Sequence, residues 1–401
     1  MSLRSRPAFV VTALGSAQTL AWGSTYYLPA ILAVPMAHDL GVSTGTVFAA
    51  FSAALVITAI LGPFAGRRID RFGGREVLAL SSVIFATGLA VLGMAQGAAM
   101  LFAGWLIIGA GMALGLYEAA FSTLARLYGS RARGAITGVT LIAGFASTIC
   151  WPVSAWLEFE FGWRMTCFFW AALHIALGLP LNRFLVTKAP VETPVETPVE
   201  APVLPDIVAP PAPPVPPAQH TPTMLLLAFV FAATWFSSTA MAAHLPGLLQ
   251  AAGASPAAAI AAAALIGPAQ VAGRLLEFGV LRRFHPILSA RLAAMAHPVG
   301  AAALLSFGAP AGMAFAGLHG AGNGILTIAN GTLPLTLFGP AGYGFRQGLL
   351  MAPARFVQAG APFVFALLLA RYGASALLLT AALGSAAFLA LLILNPSSKA
   401  E

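Results

Sequence analysis

The sequence predicts an all-α polytopic membrane protein, with twelve transmembrane helices forming two pseudo-symmetric six-helix bundles. Three observations predict it. The 401-residue chain is 59% hydrophobic and only 8% charged, whereas soluble domains carry about 25% Asp, Glu, Lys and Arg. Twelve apolar runs approach or exceed the roughly 20 residues a spanning helix needs. A proline-rich stretch divides those runs six and six. This composition excludes a soluble enzyme, a secreted disulfide scaffold and a disordered chain. Cys150 and Cys167 fall in apolar runs and read as small hydrophobes.

The first six runs cover about 8–35, 44–65, 77–96, 100–127, 135–157 and 164–186. The first is too long for the apolar core of a signal peptide and has no convincing cleavage site, so it reads as a permanent helix. The second six cover about 223–249, 256–276, 286–307, 311–338, 347–371 and 374–394. The domains are therefore 1–187, a linker over 188–222, and 223–401. The linker opens with Val191-Glu192-Thr193-Pro194 repeated as Val195-Glu196-Thr197-Pro198, and 189–222 holds 12 of the 29 prolines. Proline removes backbone donors and favours extended, solvated chain, so this segment reads as a tether.

The net charge of +8 is read against topology. An even helix count puts both termini on one side, together with Arg4, Arg6, Arg67, Arg68, Arg71, Arg75, Arg131, Arg133, Arg183, Lys188, Arg282, Arg283, Arg346 and Lys399. The opposite loops hold little beyond Arg164 and Arg371, with Asp39, Glu158 and Glu160. The positive-inside rule then places both termini and the linker in the cytoplasm, and no nucleic-acid partner is expected. Trp156 and Trp163 are expected in an outer aromatic belt.

Two joins repeat. Gly62-Pro63, Ala65-Gly66-Arg67 and Asp70 in the first half correspond to Gly267-Pro268, Ala272-Gly273-Arg274 and Glu277 in the second. Parallel halves related by an axis along the membrane normal are a transporter architecture. The first join continues Arg71-Phe72-Gly73-Gly74-Arg75. The chain here resembles the major facilitator superfamily, whose loop signature is G-x-x-x-D-R-x-G-R-R, with Gly74 at a usually basic position. The resemblance implies a gating loop made of Gly66, Asp70, Arg71, Gly73 and Arg75. Independently of it, Asp70 lies near helix ends, where an N-terminal dipole stabilises a carboxylate. Two antiporter patterns of the family are degraded, in Trp105 to Gly111 and in Gly144 to Pro152. The chain looks more similar to the monocarboxylate and oxalate/formate branch.

Ionisable residues inside spans are expensive and point to function. Glu118 falls in the fourth run and Arg355 in the eleventh. They are expected to face a central cavity, with Arg355 binding an anionic group and Glu118 pairing with it or carrying a proton. Tyr26 adds a polar group in the first run. In the tenth, His319, Asn323, Thr327 and Asn330 share one helical face by spacing. By the resemblance, the first, fourth, seventh and tenth helices line the cavity, which adds Tyr26, His319, Asn323 and Asn330 to the candidate substrate or coupling residues. The pairs Gly111/Gly115, Gly134/Gly138 and Gly320/Gly324 read as sites of close helix approach.

These residues predict a monomeric secondary transporter in the cytoplasmic (inner) membrane, acting on a small-molecule substrate. The solute is expected to be a small organic anion such as a monocarboxylate, driven by its own gradient or by protons. Efflux of an amphiphilic, drug-like compound is the alternative. A membrane enzyme is a distant third, with His38-Asp39 its only adjacent acid/base pair. No metal site and no cofactor are expected, since no nucleotide loop appears and the histidines lack carboxylate partners in sequence.

Overall fold

The computed structural model describes residues 7–186 and 221–394. Among the described residues every regular element is helical. Twelve spans follow one another. Span 1 is Pro7–Ser24 plus Pro29–Asp39, span 2 Thr44–Phe72, span 3 Arg75–Gly93, and span 4 Ala98–Gly115 plus Tyr117–Tyr128. Span 5 is Arg133–Ala143 plus the part of Ala146–Leu173 that precedes Gly162; span 6 is the remainder, through the π-turns to Leu185. Gly162 separates the two with φ 79°, a left-handed conformation that an L side chain rarely adopts. In the second half, span 7 is Thr221–Ala251, span 8 Pro256–Ala264 plus Ile266–Gly279, and span 9 Pro286–Phe307. Spans 10, 11 and 12 are Gly312–Phe338, Tyr343–Tyr372 and Leu377–Ile393. Most of the tether expected over 188–222, and the basic residues Arg4, Arg6, Lys188 and Lys399, lie outside the described residues.

Seven continuous helical stretches have the length and hydropathy to cross a membrane. One of them, of 88 residues, holds spans 4 to 6, and another, of 51, holds spans 11 and 12. Spans 1 and 10 are not among them: both carry polar residues, and span 1 is interrupted as well. Span 1 is cut in two at Thr25–Leu28 by Pro29, which cannot donate to an unbroken helix. Span 10 carries the polar stripe.

Two of the breaks have a freed carbonyl answered by a neighbouring span, as a hydrocarbon surrounding demands. Span 4 breaks at Leu116, which is extended (ψ −168°), and the Gly115 carbonyl accepts from Gln18 Nε2 of span 1 at 2.6 Å. Pro334 in span 10 leaves the Asn330 carbonyl without its helical donor; Gln347 Nε2 of span 11 donates to it at 2.9 Å. Span 11 contains Pro362, whose own carbonyl pairs with His244 of span 7 at 2.9 Å.

Within each bundle small residues set the helix spacing. A Cβ on Gly109 of span 4 would strike the Ala54 backbone of span 2, and one on Gly320 of span 10 would strike the Ile266 backbone of span 8. Gly324 abuts the Gln270 carbonyl in the same way. Gly134 faces open space, so its expected role in close approach is not realised. Trp163 also departs from expectation: it is buried, and its indole donates to Asp39 (3.2 Å), which Arg164 clamps at 2.8 Å. Trp156 is exposed.

The bundles meet along two seams. Spans 2 and 11 run antiparallel in contact: Gly66 against Gly344, Gly62 and Pro63 against Gly348, and Ser52 Oγ donating to the Ala359 carbonyl at 2.9 Å. Spans 5 and 8 meet where Arg274 lies against Gly144. Replacing Gly348 by Leu sets a side chain against the Pro63 backbone, 2.6 Å from where its Cβ would stand. The expected cost is about 1–3 kcal/mol, read as a lowered melting temperature of the purified protein. Gly360→Ala, where a Cβ meets nothing within 4 Å, is the control and should not lower it.

Candidate functional site

The end of the molecule that carries the basic joins is closed by two latches between the bundles. Asp70 stands in the last turn of span 2. Its oxygens accept from the backbone amides of Gly344 and Phe345, each at 2.8 Å. The first amides of a helix have no partner within it and carry partial positive charge. A carboxylate of one bundle thus caps a helix of the other, and bare Gly66 permits the approach. Gly73 ends span 2 with φ 82°. Arg71 lies over the Phe72 ring (5.4 Å), Arg67 over Phe345 (4.3 Å), and Arg75 beside Glu76 (3.7 Å). Gly66 and Asp70 therefore make the contact between bundles, Gly73 turns the chain, and Arg71 and Arg75 meet groups of their own bundle.

The repeated join behaves in parallel. Glu277 is buried and pairs with Arg133 Nη2 of span 5 at 3.2 Å. Arg133 Nη1 also donates to the Phe284 carbonyl at 2.9 Å. Asp70 engages the N-terminus of span 11 through its amides, and Glu277 the N-terminus of span 5 through a side chain. Sequence reading identified the repeat but not Arg133 as its partner.

Midway along the bundles lies a buried polar network. Glu118 is the second residue of the helix that restarts after Leu116, where the dipole favours its charge. Its Oε1 accepts from Arg355 Nη2 at 2.6 Å. Arg355 Nη1 donates to Gln358 Oε1 at 2.8 Å, Gln358 Nε2 to the Tyr26 hydroxyl at 2.6 Å, and that hydroxyl lies 3.4 Å from Thr239 Oγ1. Spans 1 and 4 of the first bundle are thereby joined to spans 7 and 11 of the second. Trp22 and Trp235 stand near-parallel, 5° apart with centroids at 6.5 Å, and the guanidinium lies 5.9 and 5.0 Å from them. Only 2% of the Arg355 side chain is exposed, and its Nε has no partner. Glu118 keeps 16% exposure, and a cavity of about 10 Å³ adjoins it. Gln358 and Thr239 are the network members missed in the sequence. A glutamine three residues from Arg355 in an apolar run was the available signal.

The polar stripe of span 10 divides. Thr327 and Asn330 line the Glu118 cavity, and the Asn330 amide oxygen accepts from Trp235 Nε1 at 3.1 Å once the amide is oriented to its neighbours. His319 and Asn323 do not join them. They line a second chamber, of about 20 Å³, inside the second bundle, with Thr234, Ser237 and His297. His319 Nδ1 lies 2.9 Å from His297 Nδ1. His297 was missed in sequence, although a histidine in the alanine-rich, apolar run of span 9 was the available signal. Tyr26, Glu118, Arg355 and Asn330 thus belong to the central site, and His319 and Asn323 to a separate one. Among the described residues, no group of three or more His, Cys, Asp or Glu is placed to hold a metal ion.

A family model described as Major Facilitator Superfamily matches residues 14–350. The probable galactarate/D-glucarate transporter GudP of Escherichia coli K12 is 34% identical over 155 residues, covering 35% of this chain. The chain spans about a third (33%) of that relative's length. Among solved structures, the transporter FucP in its outward conformation aligns over 97% of this chain and 99% of its own, with TM-score 0.72 and 14% identity. The human organic anion transporter MFSD10 (TETRAN) aligns over 98% and 100%, with TM-score 0.65 and 17% identity.

The latch yields a prediction. Asp70→Asn replaces one acceptor with an NH2 that faces an amide donor, which costs about 1–2 kcal/mol. Membrane insertion should be normal and transport impaired, measured as protein level against solute flux. Transport equal to that of the unmodified chain would remove the latch from the mechanism.

Proposed function

The chain belongs to the Major Facilitator Superfamily, and from that premise we propose which solute this multi-pass secondary transporter moves and how. The solute is a small organic anion such as a monocarboxylate, carried across the cytoplasmic membrane by alternating access. Family membership makes it a transporter and not an enzyme. The observation that carries the finer reading is the Arg355 network. A guanidinium held between the bundles, with one nitrogen unpartnered and one shared with a carboxylate, is a receptor for a carboxylate.

The chemistry follows from the pairing. In the closed network Glu118 supplies the negative charge that Arg355 needs. A bound carboxylate takes that place on the guanidinium. Glu118 then binds one proton at its released oxygen, becoming a neutral acid, so that no uncompensated charge is left in the apolar interior. Trp22 and Trp235 wall the site and accept an apolar or ring-shaped body next to the carboxylate. The relatives support the class: one is named for two sugar diacids, another for organic anions.

Alternating access uses the same parts. The Asp70 and Glu277 latches hold the basic end shut; parting them while the bundles rock would open the site to that side. By the distribution of basic residues that side is the cytoplasm, with both termini on it. In this reading the two bundles of one chain complete the site between them, and a single chain is the working unit.

Three measurements test this. Arg355→Lys keeps a charge but loses the planar fork. It should reduce carboxylate uptake in proteoliposomes at least about tenfold, the loss of one charge-assisted hydrogen bond. A thermal-shift screen should find carboxylates that stabilise the unmodified chain and not this variant. Normal uptake by Arg355→Lys would end the anion reading. Tags at Ser2 and Ala218 should be labelled from the same face of the membrane.

A further inference from the structure

The chamber inside the second bundle holds two histidines that the central site does not use. Resting on the transporter reading above, we propose that His297 and His319 form a one-proton store that couples a proton gradient to the solute site. The two Nδ1 atoms lie 2.9 Å apart. At that distance one must carry a hydrogen and the other a lone pair, so the rings are held as complementary tautomers. The donating ring therefore has a bare Nε2, and the accepting ring carries its hydrogen on Nε2.

An incoming proton settles on the bare Nε2. One N–H bond forms and none breaks, and the contact between the rings becomes an imidazolium–imidazole hydrogen bond, which is charge-assisted and stronger. A second proton would set two Nδ1–H groups head to head. The capacity of the pair is thus one. Both rings are buried, and His297 Nε2 has no partner.

The surroundings suit this role. Span 7 presents Thr234 and Ser237 to the chamber, span 10 Asn323, and span 12 Gly384, while the Phe315 ring lies 5.4 and 6.0 Å from the two imidazoles. The two histidines are the only titratable side chains among the described residues lining it. The chamber volume of about 20 Å³ suffices for one water. The same spans reach the central site. Span 7 carries Ser237 here and Trp235 beside Arg355; span 10 carries His319 here and Asn330 against Trp235. Charging the pair changes the packing demands on two helices that also shape the anion site.

The test has two arms. Full-length protein with 15N-labelled histidine in lipid nanodiscs is titrated from pH 8 to 5 by NMR. Two rings should show complementary tautomers at high pH and take up one proton between them, and His297→Gln should shift the His319 ring to an ordinary tautomer mixture. In proteoliposomes, with D-glucarate as probe, His319→Gln and His297→Gln should each lower the ratio of gradient-driven uptake to counterflow at least about fivefold, the lower end of typical coupling between sites. The proposal is overturned if the rings titrate independently, take up two protons or none, or if both variants keep the unmodified ratio. The NMR arm needs no solute. Failure of D-glucarate to move would count against a sugar diacid as the solute and not against the pair, the transport arm would then be run with a monocarboxylate, and the spectra decide on their own whether the pair stores one proton.

Discussion

A buried guanidinium cannot be left alone. Taking an ion out of water costs several kcal/mol even after relaxation, and Arg355 is almost wholly enclosed. Its partners therefore dictate much of the surrounding architecture. Glu118 must be within reach, which the break at Leu116 achieves by restarting span 4 with that carboxylate in its first turn. Gln358 must take the second nitrogen, and Tyr26 must hold Gln358. These requirements tie spans 1, 4, 7 and 11 together at one point, and those spans come from both bundles. The interaction that satisfies the charge is also the one that joins the halves.

The internal repeat is visible at every level of contact. Trp22 with Ser24 and Thr25 in span 1 has its counterpart in Trp235 with Ser237 and Ser238 in span 7, and the two indoles face each other near-parallel. Gly109-Ala110-Gly111 in span 4 returns as Gly320-Ala321-Gly322 in span 10, and each run approaches the backbone of the equivalent neighbour, span 2 or span 8. The departures from symmetry carry the chemistry. The first bundle supplies the carboxylate of the central pair and the second the guanidinium. The second bundle alone encloses the paired histidines. An approximately two-fold scaffold thus holds an asymmetric set of polar groups.

The spans were legible because twenty apolar residues bounded by charge or proline leave few alternatives in lipid. The repeat and the Asp70 loop were legible because glycines and carboxylates recur at fixed offsets. Glu118 and Arg355 stood out as charges in oily runs, and the chain brings them within 2.6 Å. The interior breaks were less visible. Leu116 has no local signature, and only the Gln18 side chain answering the Gly115 carbonyl shows why a break is tolerated there. The division of the span 10 stripe was hidden for another reason. Spacing shows that His319 and Asn330 share a face, but a face extending over three turns borders different neighbours at its two ends. His297 could be assigned its partner only once spans 9 and 10 were placed side by side.

The manner in which Asp70 is held has a consequence for how the chain can vary. Its carboxylate reads the main chain of span 11, not a side chain. At position 345 recognition of that kind is indifferent to most side chains, since nearly every amino acid offers the same N–H, whereas at position 344 a Cβ would stand 2.5 Å from the Gly66 carbonyl. Proline at either partner position would delete a donor outright, and bulk at position 344 would hold the two sides of the latch apart. The closing contact thus has a narrow grammar on both sides at the glycines and a permissive one at position 345, so that the mouth of span 11 can diversify in chemistry there while its closure is preserved.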